Sequence, residues 1–442
     1  MLFAEFSKKL DASPLKSILA YPIIFPIIFV YYRFNNQLSP IRDFAVSLSF
    51  VMTSLTRISS DIPVIAILAD LPLGRIMPNQ FQDQDHTLVP WIFALFQELE
   101  KQRFFEIHWI TLKKYVRHES TYRVKDQTIH VLPAPSLAVG LLTGHFLATR
   151  SLKRLLTALN PDLIHVWGIE MPYAKACATI KTNKLLSYQG ALTACCQRVR
   201  MKFYPHLQAF WERFTVPSYY HITCESPWAK DRILEIAPHS QVTLIEYGVE
   251  ESFYHIERLP SPQPECLFVG TLYELKGVRY LVEAFKHPSL QHIRLYLAGV
   301  GKLRQELEPQ STPNISWLGA LPRPALQHRM VSSWCLIHPT LADTGPTAVK
   351  EARVAGLPVI TTTEAGSQQH IVHGKSGYII PPRDSEAIRK SVLAITESLQ
   401  KNIAMGLYGL DENRANLKIQ LTAHKFHALY KSLLKKETSL TK

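Results

Sequence analysis

From residue 63 onward, short apolar runs alternate with longer segments in which apolar residues recur every three to four positions. A run of four to eight apolar residues between turn formers reads as a buried strand, and the longer period reads as an amphipathic helix. In the first half, strands are expected at 63–68, 105–112, 128–132, 163–167, 184–188 and 221–224, with helices at 87–102, at 144–159 and from about Met171. After Gly248 the alternation begins again. Strands are expected at 266–269, 294–298, 315–317, 335–338, 358–362 and 378–380, and helices at 278–286, 302–307, 323–332, 346–354 and 385–399. Such alternation builds a parallel sheet with helices on both faces. The chain therefore reads as α/β, with two doubly wound Rossmann-like domains. Ligands in these folds bind beyond the carboxyl ends of the strands, so the natural site is the cleft between the two. The domains read as 61–247 and 248–421, with Tyr247–Gly248 at the linker. An amphipathic helix at 422–434, within a final segment 422–442, is expected to pack back across the hinge.

Ahead of this pattern, residues 18–32 read ILAYPIIFPIIFVYY, 15 residues without a charge between Lys16 and Arg33. A spanning helix needs about 20 apolar residues, and Pro22 and Pro26 interrupt this one. No small-residue cleavage site of a secretory signal follows. The segment therefore reads as a buried helix or an interfacial segment rather than a span, and Lys8, Lys9, Lys16, Arg33 and Arg42 in the extension over 1–60 would suit anionic headgroups. The expectation is a cytoplasmic protein in peripheral contact with the inner face of the cytoplasmic membrane through residues 10–60.

Composition narrows the field. The 442 residues are 47% apolar and 19% charged, a globular rather than disordered balance. The formal net charge of +13 fits an anionic membrane surface and phosphate ligands. The basic residues are interleaved with aromatics and form no nucleic-acid-type block, so nucleic-acid binding rests on charge alone. The six cysteines make no C-x-x-C and no metal spacing with histidine, which fits a reducing compartment and gives no metal site.

The densest chemistry lies in 338–362, HPTLADTGPTAVKEARVAGLPVITT. Asp343 stands in a loop before a helix, and Glu351 lies eight positions on, inside it. Thr344 is placed to cap the helix, Pro346 suits its first turn and Gly356 ends it. Free N–H groups at the helix start form an anion site, and two carboxylates beside it can grip hydroxyls. That combination is what a nucleotide-sugar requires. Acids near a helix start are also favoured by the dipole alone, so the spacing takes its meaning from its surroundings. One such neighbour is 266–280, CLFVGTLYELKGVRY. Gly270 lets the backbone turn close to a ligand. Lys276 opens a helix, where the dipole disfavours a cation and a bound diphosphate would offset the cost; a solvated surface lysine is the plain alternative. Gly299 and Gly301, in LAGVGK after another strand, read either as a tight turn or as a ligand contact.

Here a resemblance becomes specific. VGTLYELKGVRYLVEAF, LYLAGVGKL, ISWLGALP and the stretch from His338 to Pro382, in this order and spacing, resemble the retaining family-four glycosyltransferases of the GT-B fold. PDLIHVWG, LSYQGAL, HITCESPWAKDRI and TLIEYGVEESFY resemble the family more loosely, so the likeness covers most of 61–435 and none of the first 60 residues. It implies that Glu351 holds the ribose hydroxyls, Asp343 the donor sugar and Lys276 the diphosphate, and that these three form the catalytic set. Gly270, Thr271, Gly299, Gly301, Gly345, Pro346 and Thr347 fall at donor-binding positions. Some residues depart from the pattern. The first acid is usually Glu, and Arg is usual where Thr271 stands. Many relatives have His-Gly at Gln189-Gly190, and some have His where Trp167 stands.

The resemblance implies transfer of a hexose-type sugar from a nucleotide-diphosphate donor to a saccharide or lipid-linked acceptor, with retention, without a metal or any cofactor beyond the nucleotide-sugar. On the acceptor side the candidates are His165, Gln189, Arg198 and Arg200. His165 reads equally as a core histidine. Arg198, Arg200 and Lys202 stand beside Phe203, Tyr204 and Trp211, either to dock an anionic lipid-linked acceptor or as a packed helix with solvated cations. A nucleotide-sugar epimerase and a non-catalytic partner of the same fold remain the alternatives.

Overall fold

A computed structural model describes residues 62–81, 89–101, 104–136, 139–140, 144–169, 172–201 and 203–440. The expected membrane segment at 10–60 lies outside the described residues. Within 62–442, which form one compact unit, two sheets are built. The first comprises β1 (Val64–Leu68), β2 (Glu106–Lys113), β3 (Ser120–Val124), β4 (Gln127–Pro133), β5 (Leu163–Trp167), β6 (Asn183–Ser187), β7 (His221–Cys224) and β8 (Gln241–Leu244). Their order is β3-β4-β2-β1-β5-β6-β7-β8, parallel throughout except for β3 against β4. The second comprises β9 (Glu265–Val269), β10 (Arg294–Ala298), β11 (Ile315–Gly319), β12 (Cys335–His338), β13 (Val359–Thr362) and β14 (Gly377–Ile380), in the order β11-β10-β9-β12-β13-β14 and wholly parallel.

The unbroken apolar runs have a physical reason. Successive side chains of a strand point to opposite faces, so a strand covered by helices on both faces buries every residue. In the second sheet, Cys266, Phe268, Leu295, Leu297, Cys335 and Ile337 enter one core, while Leu267, Tyr296, Ala298 and Leu336 enter the other. β1 and β5 are buried along their full lengths.

The last helix, Ile419–Leu440, leaves the second domain and joins the core of the first. Ile419, Ala423, Phe426, Tyr430 and Leu433, at steps of three and four, pack with Ile65, Ile67 and Trp167. The crossing is tight. A Cβ on Gly248 would overlap the backbone of Ile419. The Gly248 N–H donates to Thr422 Oγ1 at 2.9 Å, and that hydroxyl donates to the Glu246 carbonyl at 2.7 Å.

Some elements differ from the sequence reading. The edge strands β3 and β8 are half exposed and polar, so they carry no apolar run. The helix expected from about Met171 is the short Tyr173–Cys177. The helix expected over 385–399 is two, Ser385–Thr396 and Leu399–Leu407, because the Ser398 side chain caps a new start by accepting from Lys401 N–H. Thr344 does not cap the helix Thr347–Val354. Pro346 occupies the cap position, with no side-chain cap bond.

Candidate functional site

Residues from three βα junctions of the second domain converge. After β9 the chain makes a tight turn at Glu274–Lys276 and passes Gly277 at φ +70° before the helix Val278–Lys286. A Cβ on Gly277 would overlap the Pro339 carbonyl. The close approach lets Leu341 N–H donate to the Leu275 carbonyl at 2.7 Å, and Thr340 Oγ1 donates to the same carbonyl at 2.9 Å. These contacts bring Lys276 Nζ into a close ion pair with Asp343 Oδ2, across 67 positions of sequence. Asp343 also accepts from the Gly345 N–H at 3.3 Å. Burial alone would raise the Asp343 pKa, but Lys276, with smaller contributions from His338 and the Gly345 N–H, holds the carboxyl below its ordinary value. His338, at the end of β12, is buried 3.9 Å from Asp343, and its pKa falls to about 4 through burial and the Lys276 charge.

Glu351 sits one turn further along the helix Thr347–Val354 and is buried. Arg323 Nη2 donates to its Oε1 at 2.7 Å. Burial raises the Glu351 pKa, and Arg323 opposes the rise. Thr347, Pro346 and Gly345 stand at the helix start beside the Lys276–Asp343 pair.

The glycines have a packing role of their own. Gly270 N–H donates to Ala298 O at 3.0 Å, Leu272 N–H to Val300 O at 2.9 Å and Gly299 N–H to Gly319 O at 2.8 Å. A Cβ on Gly299 would overlap the Gly270 carbonyl, and one on Gly301 the Leu272 carbonyl. The two loops therefore stack because these residues lack side chains. Thr271 is exposed beside them.

In the first domain the acceptor-side candidates divide. His165 is a correction. It is fully buried, its Nδ1 2.6 Å from the Tyr430 hydroxyl and its Nε2 2.7 Å from Ser187 Oγ. Both nitrogens are engaged under the C-terminal helix, and burial holds the ring neutral, so it is a core histidine and offers nothing to an acceptor. Trp167 lies in the same aromatic core, against Trp91, Tyr247 and Phe426. Gln189 lies beside the Tyr247 hydroxyl. Arg200 is exposed. Arg198 reaches across the cleft, its Nε donating to Glu364 Oε2 at 2.8 Å, and Trp228 Nε1 donates to the same oxygen at 3.2 Å. The helix Leu192–Arg198 that carries it has its first N–H groups capped by Glu212, which accepts from Leu192 N–H at 3.2 Å and Thr193 N–H at 2.5 Å. Cys195 on this helix faces the Asp343 and Lys276 charges, and burial pushes its pKa up to about 12.

A second bridge is wholly buried. Lys350 Nζ pairs with Glu225, which follows β7, and donates to the Tyr247 carbonyl at 2.9 Å; Tyr247 N–H donates to Glu225 Oε2 at 3.2 Å. Ser226 Oγ donates to the Thr344 carbonyl at 2.6 Å, and a Cβ on Gly345 would press on the Glu225 side chain. The carboxyl end of β7 therefore rests on the loop that carries Asp343. Arg323, Glu364 and the Glu225–Lys350 pair went unnoticed in the sequence reading. The one signal available was Lys350 and Arg353 interrupting the apolar face of a buried helix. Among the described residues, no group of three or more His, Cys, Asp or Glu is placed to hold a metal, and no helix is long and apolar enough to cross a membrane.

Comparison with known proteins bears on this arrangement. Residues 91–253 match the model for Glycosyltransferase Family 4, and residues 263–398 the model for Glycosyl transferases group 1, together about two thirds of the chain. The amylovoran biosynthesis glycosyltransferase AmsK of Erwinia amylovora is 23% identical over 185 residues, 38% of this chain and 46% of its own length. The curated relatives are matched over 33–52% of their lengths. Among solved structures, sucrose-phosphate synthase from Thermosynechococcus elongatus superposes with a TM-score of 0.70 at 16% identity, over 85% of this chain and 100% of that one. HepE of Anabaena, in complex with UDP and glucose, superposes with a TM-score of 0.60 at 12% identity, over 84% and 100%. The family-model matches and the two facing parallel-sheet domains lead to one conclusion: the chain belongs to the GT-B glycosyltransferases, with a Family 4 domain followed by a group 1 domain.

Proposed function

We propose that the protein transfers a hexose-type sugar from a nucleotide-diphosphate donor to a hydroxyl of a saccharide or lipid-linked acceptor, with retention of anomeric configuration. The observation that carries this reading is the Lys276–Asp343 pair at the start of the helix that also bears Glu351. Without donor, Asp343 holds the Lys276 cation. A bound diphosphate takes over that cation together with the helix N–H groups, and Asp343 is freed to accept from a sugar hydroxyl. Glu351 accepts from the ribose. The bond from the anomeric carbon to the diphosphate breaks as the acceptor oxygen attacks the same face, and the acceptor proton passes to the departing phosphate oxygen. Stabilising the developing charge is the main catalytic task, and Lys276 with the helix N–H groups performs it without a metal. A relative from Staphylococcus aureus, 24% identical over 178 residues and named a capsular polysaccharide biosynthesis glycosyltransferase, supports a saccharide acceptor, and the HepE complex with UDP supports a nucleotide donor. The test is the proton NMR coupling at the anomeric centre of the first product formed. An α-linked donor should give an α-linked product, and an inverted centre would overturn the proposed mechanism.

The acceptor side supports a peripheral position on a membrane. Phe210, Trp211 and Phe214 form an exposed cluster on the helix Phe203–Thr215, with Lys175 Nζ 3.6 Å from the Trp211 ring centroid. Exposed aromatics beside cations suit an anionic interface. Binding to vesicles containing anionic lipid should fall by about thirtyfold or more when Phe210 and Phe214 are both replaced by Ser, since each ring contributes about 1 kcal/mol or more. Unchanged sedimentation with vesicles would remove this surface from the account.

A further inference from the structure

Glu351 is a carboxylate with 3% of its side chain exposed, and it belongs to a helix whose neighbouring cation, Lys350, is already committed to Glu225. An unpaired buried carboxylate takes up a proton rather than keep its charge. As a neutral acid it loses the charge that strengthens its acceptance from hydroxyls. Something other than Lys350 must keep it ionised.

Arg323, at the start of the helix Arg323–Ser332, meets that need. Among the described residues it is the side-chain hydrogen-bond donor to Glu351, and the bond occupies Oε1 alone. A carboxylate has about four acceptor positions, so the contact leaves room for two ribose hydroxyls. The guanidinium itself is fixed by its surroundings. Its carbon lies 4.3 Å from the Phe253 ring centroid, and its Nη2 lies 3.0 Å from Glu250 Oε2. Glu250 is held in turn from the first domain, its Oε1 3.1 Å from Arg75 Nη2, and Arg75 rests over Phe93 at 4.1 Å. The charged groups facing Glu351 are thus Arg323 from its own helix, Glu250 from the hinge segment and Lys350 from the helix of Glu351 itself. Arg323 is the cation in contact with both acids.

We infer that Arg323 is a positioning residue for the donor site: it holds Glu351 ionised and oriented for the nucleotide ribose, and through Glu250 and Arg75 it ties that carboxylate to the first domain. The inference rests on the reading of Glu351 as the ribose acceptor. Its signature is a pH dependence that lost packing would not produce. Burial raises the Glu351 pKa and Arg323 opposes the rise, so removing Arg323 lifts it further. The nucleotide needs the carboxylate. In Arg323→Met, affinity should therefore be lost at lower pH and return as pH climbs through the raised value.

The experiment measures dissociation constants of UDP, GDP and ADP by calorimetry for the full chain, Arg323→Met, Arg323→Lys and Glu351→Ala, from about pH 6 to about pH 9, the span in which buried glutamates titrate. Taking the ratio of variant to wild type removes the ligand's own ionisation. For the diphosphate that wild type binds, the Arg323→Met ratio should be about tenfold or more at the low end, one pKa unit being tenfold, and should close toward one at the high end. Arg323→Lys, which keeps a cation, should restore most of the affinity, and it carries the test if Arg323→Met does not fold. A ratio independent of pH, or no loss at all, overturns the role given to Arg323 while leaving Glu351 in place. If wild type binds a diphosphate and Glu351→Ala binds it equally well, the ribose reading itself fails, and this inference with it.

Discussion

Replacing Lys276 with Ala should lower the turnover of sugar transfer by about two to three orders of magnitude, the effect of removing one preorganised group from a developing anion. The loss should fall on turnover more than on folding. The Lys276 side chain is 23% exposed and donates to Asp343; its removal costs some stability, limited because the mostly buried Asp343 can then take up a proton. Asp343 keeps the Gly345 N–H as a partner. Release of nucleoside diphosphate, followed with a coupled assay alongside a thermal melt, separates the two effects. A variant that turns over normally would show that the diphosphate is neutralised elsewhere and that the Lys276–Asp343 pair is only structural.

Glu351→Ala should act on donor binding. Two hydrogen bonds from ribose hydroxyls to a carboxylate are worth about 1.5–3 kcal/mol each, so affinity for the nucleoside diphosphate should fall by about a hundredfold to ten-thousandfold. Arg323 retains Glu250 as a partner in the variant, so the fold should persist. The control is a 2′,3′-dideoxynucleoside diphosphate, which has nothing for Glu351 to grip. It should bind wild type and variant alike, and the two changes should not add, as for two groups that touch. An additive loss would mean that Glu351 serves the site through something other than the ribose.

The parts of this molecule that were legible in its sequence are those that depend on local pattern. β5, β7, β10 and β12 appear at the residues where apolar runs place them, because a strand buried on both faces needs every side chain apolar. β3 and β8 were missed because an edge strand has polar positions that resemble a loop. His165 was open to misreading because periodicity assigns a residue to a face without saying what covers that face. The cover is Tyr430, 265 positions away. Lys276, Asp343 and Glu351 were legible because their glycines and helix starts are local features with a recognisable order. Arg323 was not, since nothing in a lone arginine at a helix start marks a partner 28 positions later. The same holds for the Glu225–Lys350 bridge, formed across 125 positions between two domains.

The central claim is a nucleotide-sugar site built on Lys276, Asp343 and Glu351. The most direct test is the thermal shift of the purified protein with a panel of nucleoside diphosphates and their sugars, since a ligand that binds the folded state raises its apparent stability by mass action. One diphosphate and its sugar should stabilise wild type and leave Glu351→Ala unmoved, which would also name the base. A folded sample that responds to none of them would contradict the account and favour a fold kept for partnership rather than for transfer.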